Sequence, residues 1–135
     1  MNEERWKQRF QNFLNAFEVF ERIKNKSLED GKLDEIEQMA LIQSFEFLFE
    51  LAWKTLKDYL NFQGYQEVAS PREVIKNGFE GGYLKNAETW LKALLDRNQT
   101  THIYDEEKIN EISQKIINEY YEIFKDFKET FEGKK

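Results

Sequence analysis

The chain of 135 residues has no cysteine, one proline and a single histidine, His102. Without cysteine there is no disulfide, no thiolate nucleophile and no cysteine-rich zinc site. One histidine excludes a two-histidine zinc motif such as H-E-x-x-H within one chain, and no E-x-x-H repeat offers a di-metal bundle site. Neither a G-x-x-x-x-G-K-[ST] loop nor a G-x-G-x-x-G turn occurs, and Gly81-Gly82 lacks phosphate-loop spacing. No metal and no cofactor is therefore expected. No apolar run approaches the ~18 residues of a membrane span. The charged start, Met1-Asn2-Glu3-Glu4-Arg5, is unlike a secretory signal. These absences predict a cytoplasmic protein with no membrane attachment.

Aromatic residues are plentiful instead: Phe 12, Tyr 6 and Trp 3 make up 16% of the chain, against 34% charged residues. A single domain over residues 1–135 fits the length. A chain of this size buries roughly 65–70% of the surface its unfolded form exposes. The net charge is −6. That argues against an extended phosphate-binding surface but leaves room for a small local one.

Helical periodicity dominates. Trp6, Phe10, Phe13, Phe17 and Phe20 recur at steps of three and four on one face, which Leu14 and Ile23 widen. After Asp30-Gly31, Asp34 is an expected N-cap for a second helix reaching Asn61. Its stripe Leu41, Phe45, Leu48, Ala52, Leu56 and Tyr59 is flanked by Met39, Phe47 and Leu51, so two covered sides are expected, with Lys54, Lys57 and Asp58 as a wet edge. Gly64 is placed to end it in the left-handed conformation. Ser70-Pro71-Arg72-Glu73 combines an N-cap, an N1 proline and a capping-box glutamate, predicting a short helix that ends near Gly78, before Gly81-Gly82. A fourth helix from Asn86 turns Ala87, Trp90, Leu91 and Leu94 inward and fades at Arg97-Asn98, before the poor helix formers Gln99-Thr100-Thr101. The last starts at Asp105 and carries Ile109, Ile112, Ile116, Tyr120, Ile123, Phe127 and Phe131 on one face. No strand-like alternation is present. The expected class is all-α, an up-and-down four-helix bundle with an additional short helix.

Most carboxylates fall on predicted solvent faces, as exposed charge ordinarily does. The chemistry concentrates in Asp96-Arg97-Asn98-Gln99-Thr100-Thr101-His102-Ile103-Tyr104. Arg97 is a permanent cation able to fork onto phosphate. His102 is the side chain that titrates near neutrality. Tyr104 offers a hydroxyl and a flat face. Residues 71–104 carry a net +1, so the remainder carries −7. An anion is least repelled here. Each residue also has a plain reading: Tyr104 as a hydrophobic staple against Ile109, Arg97 paired with Asp96 or a helix-end carbonyl, and His102 bonded to loop backbone.

Arg97-Asn98-x-x-x-His102-x-Tyr104 resembles the R-N-x-x-x-H-x-Y signature of the HEPN superfamily, specifically its HepT-type proteins, the small helical partners of minimal nucleotidyltransferases. Phe45 to Leu60, Ser70 to Ile75 and Trp90 to Glu106 are similar to the same family, and the likeness spans roughly residues 5–130. The resemblance implies a single HEPN-like bundle and a toxin–antitoxin pair. It implies a metal-independent ribonuclease whose homodimer joins two motifs, with Arg97, Asn98 and His102 catalytic. It also implies that a partner nucleotidyltransferase silences the nuclease by attaching AMP to Tyr104. Cutting RNA through its 2′-hydroxyl needs a base for that proton and an acid for the leaving 5′-oxygen. One chain has one imidazole; two chains have two. The competing readings are a non-catalytic substrate-binding or regulatory subunit of a nucleotidyltransferase, and a purely structural helical dimer.

Overall fold

A computed structural model describes residues 3–66, 70–102 and 105–135. Among them every regular element is helical: α1 (Glu3–Asp30), α2 (Glu35–Phe62), α3 (Pro71–Glu80), α4 (Ala87–Gln99), a 3-10 turn (Thr100–His102), α5 (Glu106–Lys115), a π-helical segment (Ile116–Tyr120) and α6 (Tyr121–Glu132). The all-α bundle with one short extra helix is as expected. Among the described residues no helix is long and apolar enough to cross a membrane.

The aromatic periodicity of α1 becomes the core. Trp6, Phe10, Phe13, Phe17 and Phe20 are buried and meet the rings of α6, with Phe13 4.9 Å from Phe127 and Phe20 5.8 Å from Phe124 between centroids. α1 also packs along the length of α2. From α2, Phe45 stacks on Tyr120 at 5.5 Å and Phe49 meets Trp90 of α4 at 5.9 Å. Tilted and edge-on pairs predominate, as ring quadrupoles favour.

The caps behave as their residue types predict. The Asp34 side chain accepts the backbone N–H of Glu37, and the Glu37 carboxylate accepts the N–H of Asp34, a complete capping box. Ser70 Oγ accepts the N–H of Glu73 at 3.3 Å. Gly64 takes a φ of +98°, open to glycine at no steric cost.

Three expectations need correcting. Asp58 is not on a wet edge: it is 6% exposed and ion-paired to Arg9 at 3.0 Å and Arg5 at 3.6 Å. A carboxylate is held inside a helical face here because two guanidiniums reach over it from α1. Met39 and Phe47, expected under a second cover, are exposed, Phe47 by 62%. α3 ends at Glu80, before Gly81-Gly82, as expected. The last helix runs without a gap to Glu132 but widens into a π turn at Ile116–Tyr120.

Candidate functional site

The polar stretch after Asn98 does not unwind. α4 continues to Gln99 and then tightens into the 3-10 turn Thr100–His102, a common way for a helix to end. Arg97, Asn98 and His102 therefore lie on one nearly continuous helical rod. Arg97 is partly buried, and Asn98 and His102 are exposed. Tyr104 lies outside the described residues, and so does its expected packing against Ile109. Asp105, just beyond, caps α5 by accepting the N–H of Glu107 at 2.8 Å.

Among the described residues, Arg97 pairs neither with Asp96 nor with a helix-end carbonyl. Its guanidinium forms a direct ion pair with Glu50 of α2 and donates a longer hydrogen bond, 3.3 Å, to Asn98 Oδ1. Glu50 is shared with Lys54, 3.4 Å away. One turn earlier on α2, Glu46 accepts a hydrogen bond from the Thr100 hydroxyl, which also sits 2.8 Å from the Arg97 carbonyl. Two successive turns of α2 thus hold the end of α4 from one side. Asp96 is held from the other, accepting from the Tyr120 hydroxyl and lying 3.6 Å from Lys115 Nζ.

The electrostatics differ from the linear count. The stretch that carries +1 in sequence receives Glu46 and Glu50 across the helix interface, and Lys92 faces Glu119 at 3.6 Å. Arg97 is a compensated cation held in one place. An incoming phosphate competes with Glu50 for it, although about a third of its side chain stays accessible. Burial and the hydrogen bond to Asp96 push the Tyr120 phenol far above its ordinary range, keeping it a neutral donor.

Sequence reasoning missed Glu46, Glu50, Thr100 and Tyr120. Glu46 and Glu50 had a signal, since their i,i+4 spacing puts two carboxylates on one side of a helix. Only packing shows which side faces α4. A cleft of about 890 Å³ lies elsewhere, between the end of α1 and the starts of α2 and α5. Asp34, Glu35, Asp105, Glu106 and Glu107 line it against a single lysine, Lys32, so it repels an anion. Among the described residues no cluster of three or more acidic or histidine side chains is arranged to hold a metal.

Residues 8–133 match the family model described as nucleotidyltransferase substrate binding protein like. A crystal structure of a Thermus thermophilus protein superposes with a TM-score of 0.75 at 31% sequence identity, over 85% of this chain and 94% of that one. No curated protein matches.

Proposed function

We propose that this chain, which belongs to the nucleotidyltransferase substrate binding protein like family, is the toxin partner of a minimal nucleotidyltransferase and cleaves RNA without a metal. The observation that carries the reading is the end of α4. There a pinned Arg97 is followed within one rod by the exposed Asn98 and His102, in the spacing by which the chain resembles the HEPN superfamily.

The chemistry divides between two copies. The His102 imidazole of one chain removes the 2′-hydroxyl proton, and the 2′-oxygen attacks phosphorus to form a cyclic phosphate. The bond to the 5′-oxygen breaks, and the His102 imidazolium of the second chain protonates that oxygen. Arg97 stabilises charge on the non-bridging oxygens, and Asn98 orients the phosphate. AMP attached to Tyr104 by the nucleotidyltransferase adds anionic bulk two residues from His102 and excludes RNA. The acidic chain makes RNA affinity modest and salt-sensitive.

The test is cleavage of RNA by the purified chain in the presence of a chelator, with cyclic-phosphate ends on the products. His102→Ala should abolish it with the helical circular dichroism unchanged; equal cleavage by that variant rejects the nuclease. Incubation with the partner nucleotidyltransferase and ATP should add AMP to Tyr104 and silence the wild type. The family description itself favours a second reading, a non-catalytic substrate-binding subunit. That reading predicts complex formation with the nucleotidyltransferase and no RNA cleavage at any concentration.

A further inference from the structure

We infer that Glu46 is a positioning residue for His102, acting through Thr100. This rests on the ribonuclease reading only for its consequence in rate. Gln99-Thr100-Thr101 has little intrinsic reason to stay helical. Yet the rod runs through Thr100 and on to His102. The contact that explains this is tertiary. Thr100, 9% exposed, donates its hydroxyl to the Glu46 carboxylate of α2. The hydroxyl has one proton and two acceptors in reach, Glu46 and the Arg97 carbonyl at 2.8 Å. The carboxylate is the stronger acceptor, so the last turn of α4 is tied to α2 through Glu46.

The arrangement has a cost that solvent-facing residues would avoid. Glu46 and Glu50, one turn apart, repel each other, and neither is free in solvent. Glu50 is neutralised by Arg97 and Lys54, whereas Glu46 receives the Thr100 hydroxyl. The two carboxylates thus have separate duties at this helix end. One holds the arginine; the other holds the turn that presents the imidazole two residues later.

Rate and geometry are tested separately. Because His102 is the chain's one histidine, its imidazole proton signals in an NMR spectrum are unambiguous. In Glu46→Ala the ring signals should move and broaden. In Glu46→Gln, which keeps an acceptor oxygen, they should return toward wild type. Thr100→Val, which keeps the shape and removes the hydroxyl, should repeat the alanine result and serves if Glu46→Ala does not fold. In RNA cleavage Glu46→Ala should lower kcat about 10- to 100-fold, as a displacement near 1 Å of a reacting group does, with KM nearly unchanged and activity recovered in Glu46→Gln. Wild-type His102 signals in both folded Glu46→Ala and Thr100→Val overturn the inference. If the wild type cleaves no RNA, the ribonuclease reading fails alone, and the NMR comparison still decides whether Glu46 positions His102.

Discussion

At the scale of single residues, the described polar side chains around the site owe their state to partners on other helices. Tyr120 and Tyr121 follow each other in sequence but answer to different neighbours. Tyr120 donates to Asp96 of α4, and Tyr121 donates to Glu21 of α1. Burial and the adjacent carboxylate raise both phenols, Tyr121 to about 12. A raised phenol means that the fold favours the protonated form. Its stabilising contribution is complete below the ordinary phenol value of 10 and is lost as pH climbs above it. The urea midpoint should therefore fall between pH 10 and about 12, and Tyr121→Phe should flatten part of that fall. An identical alkaline slope in the variant would contradict the assignment. Arg97, Asn98 and His102 were legible from sequence as neighbours on one short stretch of chain. What was not legible is that Arg97 is occupied, because its partner Glu50 lies 47 residues away on another helix.

At the scale of elements, caps and stripes were readable because they depend on neighbours within one turn. Asp34, Ser70 and Gly64 are local devices, and each does what its residue type predicts. Asp58 looked wet because its two arginine partners lie on α1, and Gly78 of α3 is likewise a packing position against a second helix. A Cβ built at Gly78 stands 2.6 Å from Leu56 Cδ2 and 3.3 Å from both Leu56 Cδ1 and Leu84 Cδ1. Gly78→Ala gains up to about 1 kcal/mol of helix propensity but overpacks a filled interface, which costs about 1–3 kcal/mol. The leucine it strikes is 1% exposed, so overpacking wins. A net loss of about 1–2 kcal/mol is expected in urea unfolding. A more stable variant would show that α3 is free to move away from α2.

At the scale of the molecule, α2 is packed by α1 and by α3, α4 and α5, yet part of its apolar arc stays bare. Ile36, Met39 and Phe47 stay exposed at 81%, 41% and 62%, and Leu95 of α4 at 60%. Phe47 adjoins Glu46, and Leu95 stands two residues before Arg97. Large exposed apolar side chains near Glu46 and Arg97 are what a second copy of the chain would cover in the proposed ribonuclease. Light scattering should find a wild-type dimer, and Phe47→Lys should give a folded monomer that has lost RNA cleavage. A monomeric wild type counts against a shared site.

The order of residues was enough to establish the helical class, the inward rings, the caps and the Arg97-to-His102 cluster. Each of these follows from spacing within a few turns or from side-chain chemistry. Packing alone settled which carboxylates hold the cluster, which arc of α2 stays uncovered, and that the polar stretch to His102 stays helical. Those outcomes depend on Glu46 and Glu50 meeting residues some fifty positions later, across an interface that no local periodicity encodes.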